Sequence, residues 1–417
     1  MALDIPEGNR QREFLDYLNS ALRQRIASSS GSATRLEDGR YVSTLTGPFR
    51  VNGIFIPLSW TLTRSADNRV LQSLEVESAE GAPPESHWHS TILEFVNSVL
   101  AASISSKRTS YFRRSFFFYI GSQLDGEYWL PGFRFAPVNP EEDQPFLINA
   151  ERTVSIDMNI EAVDEMHAIA LSEEASKRHA ARLSLLLNHG LYRQDCGLRW
   201  GIPVENNGHI GSSVRYYSFY APLKPDLDGM PLKGKACPLG KYKGSLTAKY
   251  TQAGTMLSLP KEARRILRNI DNAKPELRIA FDNGARLYQV GAVIGSQFPS
   301  AGLAYRVAAI DAISQANGSR STIANFIKKH ASQWPDLELL IDHLWGSIRS
   351  AHFHGGEFPL GEFSETRFMD LLLDTRETTT KMIHRNCYDL TREVIVNWMY
   401  RQLSSKGIEN DSEELPV

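Results

Sequence analysis

Cysteine, long apolar runs and strong net charge are all scarce in this chain of 417 residues. Its three cysteines, Cys196, Cys237 and Cys387, are isolated, and no CxxC pair occurs. This argues against a disulfide framework or a zinc ribbon and favours a reducing compartment. No apolar run approaches the roughly 18 residues that suggest a membrane-spanning helix. The N-terminus also lacks the basic and then apolar pattern of a secretory signal. We therefore predict a cytoplasmic protein that makes no contact with a membrane.

The charge balance argues against a strongly basic nucleic-acid-binding protein, and the ligand motifs are too weak to indicate a metal or nucleotide site. The formal net charge is only -2, so any RNA-binding site must be a local basic patch. His87 and His89 have no third metal ligand nearby in sequence, and residues 290–295 resemble a phosphate loop but lack its GK[ST] end. We accordingly expect no metal and no cofactor. The length predicts two or three domains.

Residues 1–160 have the mixed pattern of an α+β domain. Apolar spacing predicts helices over 10–26 and 91–102, and residues 28–34 are interpreted as a linker of small residues. Alternating β-branched and aromatic residues predict strands separated by Gly-Pro and Asn-Gly turns. The predicted strands are 40–45, 49–54, 56–63, 116–120, 128–130, 133–136 and 153–160. This domain is a candidate sensor or regulatory region.

Residues 161–290 are predicted to connect this domain to the rest through a long helix over 163–187. A glycine-containing segment that follows is rich in lysine and tyrosine, and a short helix with three arginines comes after it. Basic side chains neutralise phosphates, and aromatic rings stack on unpaired bases. The candidate RNA-binding residues are Lys233, Lys235, Lys241, Lys243, Tyr242, Arg264, Arg265 and Arg268. The competing interpretation is a solvated loop whose lysines have no binding role.

Residues 291–405 have helical periodicity throughout and predict an all-α bundle of four or five helices. Predicted helices cover 303–316, 321–331 and 337–353, and apolar residues recur in helical register from 368 to about 402. In the third helix, Trp345 is expected on the buried apolar face with Leu344 and Ile348. The acidic tail, 406–417, is predicted to be disordered.

The end of that third helix carries the main chemical signal, in the string Ile348-Arg349-Ser350-Ala351-His352-Phe353-His354-Gly355-Gly356. Arginine has a planar cationic fork that suits phosphate, and histidine takes and gives protons near neutral pH. Arg349 and His352 are neighbours on an α-helix, whereas Arg349 and His354 are five apart and would diverge. Gly355-Gly356 is a natural helix terminator, so His354 is expected in the last turn or the cap.

This string resembles the signature of HEPN domains of the Apea-like group, in which an Arg-Ser pair is followed by His-Gly-Gly. Arg349, Ser350, His354, Gly355 and Gly356 match it, whereas His352 is not part of the pattern. The resemblance covers residues 292–405, and no family is recognised for the first 290. It implies a metal-independent endoribonuclease in which His354 transfers protons and Arg349 stabilises charge on the phosphate.

The resemblance also implies the supporting residues and the partners. An acidic residue of the first HEPN helix often lies near the motif arginine, so Asp311 is expected to contact Arg349 or orient His354. The alternative is that Asp311 lies at the edge of its apolar stripe and reaches water. The residues expected to support the catalytic residues of the motif are Ser350, His352, Gly355 and Gly356. HEPN nucleases form homodimers through this domain and commonly act on RNA as toxins or as abortive-infection effectors against viruses.

Two other functions fit the same sequence. One is a non-catalytic HEPN scaffold that mediates dimerisation or partner binding. The other is a ligand-sensing binding protein whose main activity lies in the N-terminal domain. Whether the protein is a nuclease or a sensor, a trigger protein or ligand would act on its N-terminal domain.

Overall fold

A computed structural model describes residues 2–3, 5–6, 10–51, 53–66, 70–105, 108–138, 151–193, 198–201, 215–218, 229–247, 256–317, 322–360, 362–363 and 375–403. The fold class is α+β, as predicted, with sheets in the N-terminal part and helices in the C-terminal part. Contacts divide the chain into two compact units. Unit 1 consists of Met1–Tyr111 and Ile160–Ser172, and unit 2 consists of Phe112–Asn159 and Glu173–Val417. The domain boundaries proposed from sequence stay predictions, and the tail 406–417 lies outside the described residues.

Unit 1 is an antiparallel five-stranded sheet that shares a core with two helices. The sheet order is β1-β5-β4-β3-β2. The strands are β1 (Ala2–Leu3), β2 (Ser30–Arg35), β3 (Tyr41–Val51), β4 (Ile54–Arg64) and β5 (Leu71–Ser78), and the helices are α1 (Arg10–Arg25) and α2 (His89–Ser105). Phe49, Trp60 and Phe95 form the centre of this core, with ring centroids 5.1 to 5.9 Å apart. Large aromatic side chains on facing elements contribute most of the buried apolar area.

Three expectations for this region were wrong. Strands predicted at 40–45 and 49–54 form one continuous β3, because Gly47 and Pro48 pair with Leu58 and Pro57 instead of turning. A Cβ at Gly47 would lie 2.3 Å from the Ser28 carbonyl oxygen, so glycine is required there by close backbone approach. The expected linker 28–34 contains β2, and β5 was not predicted.

Unit 2 begins with a four-stranded sheet of order β6-β9-β8-β7. Its strands are β6 (Thr109–Ile120), β7 (Tyr128–Leu130), β8 (Phe133–Pro137) and β9 (Glu151–Ala162), of which β6 and β9 extend into unit 1. The last three lie close to their predicted ranges, whereas β6 begins well before its predicted start at 116. Asp157, which is fully buried, accepts hydrogen bonds from both Arg114 and Arg134 at 2.6 to 2.8 Å. Arg134 also donates to the buried Glu127. Buried charges need such partners, because desolvation penalises an unpaired ion heavily. A separate two-stranded sheet pairs β10 (Leu198–Gly201) with β11 (Arg215–Ser218).

The rest of unit 2 is helical; most of its helices overlap predicted segments, whereas the helix over Pro275–Ile294 was not predicted. The helices are α3 (Glu165–Leu187, which begins in unit 1), α4 (Ala263–Asp271), α5 (Pro275–Ile294), α6 (Pro299–Ser314), α7 (Ile323–Ala331), α8 (Leu337–Asp342) and α9 (Thr375–Leu403). Residues His343–Gly355 continue α8 as a π-helix. Phe368, Leu371 and Leu372, assigned from sequence to the last helix, lie outside the described residues. Within the described part of the chain, no helix is long and apolar enough to cross a membrane.

The glycines of residues 290–295 serve helix packing. Ideal Cβ atoms at Gly291 and Gly295 would lie 2.7 Å from the carbonyl oxygens of Gly302 and Gly291 respectively. A Cβ at Gly302 would lie 2.6 Å from both the Gly295 Cα and the Tyr388 hydroxyl. These distances are too short for a side chain, so glycine lets α5, α6 and α9 approach closely. Residues 290–295 therefore resemble a phosphate loop because close helix packing requires glycine at positions 291 and 295.

Acid is expected to destabilise the fold through buried histidines. His330 is 3% exposed, and burial lowers its pKa to about 4. Between the ordinary value near 6.5 and this lowered value, the unfolded chain binds a proton that the folded chain does not. The free energy of unfolding should therefore have its full value above about pH 6.5. It should fall as the pH falls, by up to about 1.4 kcal/mol per pH unit for one such histidine.

Denaturant unfolding of wild type and His330→Gln at pH 7.5 and 5 measures this effect. The variant should show a smaller loss of unfolding free energy between the two pH values. An equal loss in both proteins would show that His330 does not contribute to the pH dependence.

Candidate functional site

The predicted motif lies on the π-helix and ends at a glycine cap. Leu344 and Ile348 are buried and anchor this segment to the helical core. Gly356 has a φ of 67°, and its N–H donates to the His352 carbonyl oxygen at 3.1 Å. The Glu357 N–H donates to the Ala351 carbonyl oxygen at 3.1 Å. The predicted glycine terminator is therefore confirmed, with Gly356 in the left-handed conformation that closes a helix.

The π-helical winding changes which side chains are neighbours. A π-helix is built on i→i+5 hydrogen bonds, whereas an α-helix uses i→i+4 bonds. On such a winding, the side chains of residues five apart, such as Arg349 and His354, diverge less than on an α-helix. The divergence expected from sequence assumed α-helical winding, whereas this segment is wound as a π-helix. π-Helical turns occur frequently at functional sites.

Arg349 is held in place but keeps most of its hydrogen-bonding capacity. Its Nη2 donates to Asp311 Oδ2 at 3.2 Å, and its guanidinium lies over the Trp345 ring at 4.4 Å. A guanidinium has five N–H donors, and within the described residues this single bond uses one of them. The buried Nε makes no hydrogen bond to any described residue. The Arg349 side chain is 24% exposed, so solvent or a ligand can reach it.

Asp311, on α6, satisfies both interpretations made from sequence. Its carboxylate contacts Arg349, and its side chain is also 34% exposed. The contact uses one guanidinium nitrogen and not the two-pronged geometry of a closed Arg–carboxylate pair. Asp311 thus orients the arginine without occupying the rest of its fork.

The two histidines of the motif have different surroundings. His354 is exposed and forms no hydrogen bond, ion pair or ring contact with any described residue. His352 Nδ1 lies 3.2 Å from the Glu357 carbonyl oxygen. Because a carbonyl only accepts, Nδ1 carries the proton of His352 in this bond. The His352 ring also packs edge-on against Phe353 and Phe358. His352 is fixed to the helix cap, whereas His354 faces solvent.

Aromatic side chains form an exposed surface beside the motif that sequence analysis did not predict. Trp345 was expected in the core but is 47% exposed. The Arg349 guanidinium covers one face of its ring, and much of the rest of the ring is in contact with solvent. Phe353 packs on Tyr305 and is 42% exposed. The remaining members contact one another with centroids 4.8 to 6.1 Å apart: Phe298, Phe358 and Phe363. We call these residues, with Trp345 and Phe353, the aromatic surface. The Ser350 hydroxyl makes no hydrogen bond with the described residues.

The lysine-rich segment is better ordered than a pliable loop. The Gly240 N–H donates to the Glu127 carbonyl oxygen at 2.9 Å, and the Gly234 N–H donates to the Glu127 carboxylate. Tyr242, a predicted stacking residue, is half-buried and packs edge-on against Tyr128 at 5.0 Å. One side of its ring is packed in the fold, and its role in RNA binding stays a prediction.

The cationic side chains of this region remain available. Lys233, Lys235, Lys241 and Lys243 are all exposed. On α4, Ala263, Ile266, Leu267 and Ile270 are buried, whereas Arg264, Arg265 and Arg268 are exposed. The Gly244 N–H donates to the Leu259 carbonyl oxygen at 3.1 Å, which places the residues just before α4 beside the lysine-bearing segment. These four lysines and three arginines together form what we call the basic surface.

Replacing Lys235, Lys241 and Lys243 with alanine is expected to weaken RNA binding. Removing about three phosphate contacts should also flatten the dependence of log affinity on log salt by roughly two to three units. Fluorescence anisotropy with a labelled single-stranded RNA, repeated over a salt series, measures both quantities. Lys177→Ala, which removes an exposed lysine of α3, is the control. An unchanged affinity and salt slope in the triple variant would return this segment to the class of solvated loops.

Comparison with protein-family models, with curated proteins and with solved structures gave no match. Among the described residues, no group of three or more His, Cys, Asp or Glu side chains is arranged to hold a metal ion.

Proposed function

We propose that this protein is a metal-independent endoribonuclease of the HEPN type. The observation that carries the proposal is that one π-helix presents both a partly exposed Arg349, which keeps most of its N–H donors, and the exposed His354 five residues further along. Such a pair can bind a phosphate and move a proton beside it. The exposed basic surface supports RNA as the substrate.

The proposed reaction is an internal transfer within the RNA backbone. The 2'-hydroxyl oxygen attacks the adjacent phosphorus, and an imidazole takes the hydroxyl proton. The bond from phosphorus to the 5'-oxygen breaks, and that oxygen receives a proton. The products are a 2',3'-cyclic phosphate and a free 5'-hydroxyl. Arg349 would stabilise the negative charge that develops on the non-bridging oxygens.

A second chain would complete the site. Each chain supplies one Arg349–His354 pair, whereas the reaction needs a base for the attacking hydroxyl and an acid for the leaving oxygen. A two-fold homodimer brings a second pair to the same place. The aromatic surface supports this arrangement, because exposed aromatic residues beside a site are typical of protein interfaces. By resemblance, the biological role is that of a cytoplasmic toxin or antiviral abortive-infection effector.

Cleavage of matched RNA oligonucleotides tests the proposed reaction. The full chain, in excess chelator, should cleave an all-RNA oligonucleotide. It should not cleave a position at which the 2'-hydroxyl is replaced by hydrogen, because the nucleophile is missing. Cleavage at the 2'-deoxy position, or of the corresponding DNA, would contradict the mechanism.

His352→Ala is expected to retain substantial cleavage activity, within about tenfold of wild type. The Nδ1–H of His352 is used by the Glu357 carbonyl oxygen, and its ring is packed against two phenylalanines. Its position suits support of the helix cap more than proton transfer. Initial cleavage rates of His352→Ala and His354→Ala, measured side by side, decide between the imidazoles. An inactive His352→Ala with an active His354→Ala would assign the proton transfer to His352 instead.

A non-catalytic scaffold is the second candidate function, and the aromatic surface favours it independently of any chemistry. Phe353 and Phe363 are 42% and 72% exposed, which is a large apolar exposure for one small region. If the surface serves only assembly, Phe363→Ser and Trp345→Ser should weaken self-association while no RNA cleavage is found in any variant. Under the nuclease proposal, the same changes should lower cleavage and self-association together.

A further inference from the structure

A cavity in the helical part of unit 2 has a surplus of positive charge. It has a volume of about 320 Å³ and is lined by Asn188, Arg306, His384, Arg385, Tyr388, Asp389 and Arg392. These residues come from the end of α3, from α6 and from α9. Three arginines face one aspartate in this lining. Burial lowers the pKa of His384 to about 4, so this imidazole is neutral at pH 7 and adds no charge.

Arg306 is buried without a counter-ion. It is only 8% exposed, and its Nε makes no hydrogen bond to any described residue. Its guanidinium lies 4.6 Å from the ring centroids of both Tyr288 and Tyr388. Within the described part of the chain, its one hydrogen bond runs from Nη2 to Asn188 Oδ1 at 3.3 Å, so the group is positioned by neutral partners. A buried cation with neutral partners is costly unless an anion joins it.

Arg392 adds a second buried cation of the same kind. It is 4% exposed and donates to the backbone carbonyl oxygens of Leu185, Leu186 and Leu246. Among the described residues, no carboxylate forms an ion pair with Arg306 or Arg392. Burial lowers the pKa of Arg392, and the positive charge of Arg306 lowers it further. Both guanidinium groups lie against the Tyr288 ring, at 4.6 and 5.5 Å from its centroid. Two cations this close repel each other, and an anion in the cavity would offset that repulsion.

From this geometry we infer that the cavity binds a small phosphate monoester. The Arg306 guanidinium suits a phosphate, for which arginine is the preferred partner. Arg392, whose N–H groups donate to three carbonyl oxygens and the Tyr288 hydroxyl, adds its positive charge. The volume lies at the lower end of the range of small-molecule sites and exceeds the need of a bare phosphate ion. The inference does not depend on the proposed ribonuclease activity, because no residue of the motif lines this cavity.

Calorimetric titration of the full chain in phosphate-free buffer tests this site. The probes are inorganic phosphate, glycerol 3-phosphate and glycerol. Inorganic phosphate should bind with a stoichiometry of one, glycerol 3-phosphate should bind more tightly, and glycerol should not bind. Asn188→Asp and Arg306→Lys should each weaken binding at least tenfold. The first variant supplies an internal counter-ion to Arg306, and the second removes the planar fork.

The two variants and one control keep the test decisive. Asn188 has a φ of 56°, a conformation that aspartate also tolerates, so Asn188→Asp should fold and should raise the melting temperature. Arg349→Ala removes the motif arginine outside the cavity and should leave phosphate binding unchanged. No binding to wild type, or undiminished binding to Asn188→Asp, would overturn the proposal. Loss of binding in Arg349→Ala would also overturn it, by placing the phosphate at the motif.

Discussion

Arg349→Ala and His354→Ala are each expected to lower the rate of RNA cleavage by about 100-fold or more. This is the usual effect of removing a proton-transfer group or a charge-stabilising donor. Arg349→Lys should also be impaired, because lysine keeps the charge but lacks the planar fork. Initial rates on a fluorescent RNA, with thermal unfolding to verify the fold, provide the measurement.

Arg278→Ala is the matched control, since Arg278 is an exposed arginine on α5 away from the motif. It should cleave at the wild-type rate. Full activity in either Arg349→Ala or His354→Ala would remove that residue from the catalytic assignment. A variant whose melting temperature falls sharply would be replaced by Arg349→Lys or His354→Gln in the same assay.

Asp157→Ala is expected to lower the free energy of unfolding by about 3–5 kcal/mol, the usual cost of breaking a buried ion pair. Asp157 is fully buried and is bound by two arginines, Arg114 and Arg134. Its removal leaves Arg134 with Glu127 as its only carboxylate partner among the described residues and leaves Arg114 without one. Chemical denaturation at pH 7 measures the change.

An exposed ion pair provides the comparison for Asp157. Lys328 and Glu338 are 2.7 Å apart, but their side chains are 43% and 73% exposed. Exposed pairs contribute little, because water screens them and fixing two long side chains costs entropy. Glu338→Ala should therefore change the unfolding midpoint far less than Asp157→Ala. Equal changes of the unfolding midpoint in the two variants would show that the buried ion pairs of Asp157 stabilise the fold no more than an exposed pair.

Local periodicity was sufficient to predict most helices. The apolar stripes predicted α1, α2, α3, α6 and α7 with small errors at their ends, because a helix contains its hydrogen-bonding partners within one segment. Strands were harder where pairing is decided elsewhere in the chain. Ser30–Arg35 is polar and fully exposed, so nothing in its own composition predicts that it will pair with β3.

The candidate site was predictable in residue type but not in geometry. The Arg-Ser and His-Gly-Gly flanks identified the segment, and Gly356 caps it as expected. The π-helical winding was not readable from spacing, because the same apolar residues fit an α-helix nearly as well. Trp345 was assigned to the core for the same reason, and only the geometry places it in solvent beside Arg349.

The cavity of Arg306 and Arg392 was invisible to sequence analysis. Its residues come from three helices far apart in the chain, and neither arginine belongs to a local motif. Only tertiary packing reveals that both are buried and lack a carboxylate partner among the described residues. The distinction between a solvated arginine and a buried, unneutralised one is a property of the fold.

Identification of the ends of the RNA products is the most direct test of the proposed nuclease. Purified full chain is incubated with a defined RNA in excess chelator, and the fragments are analysed by mass spectrometry alongside Arg349→Ala and His354→Ala. We predict 2',3'-cyclic phosphate and 5'-hydroxyl ends that require both residues. No cleavage, 3'-hydroxyl and 5'-phosphate ends, or the same products from both variants would contradict the proposal.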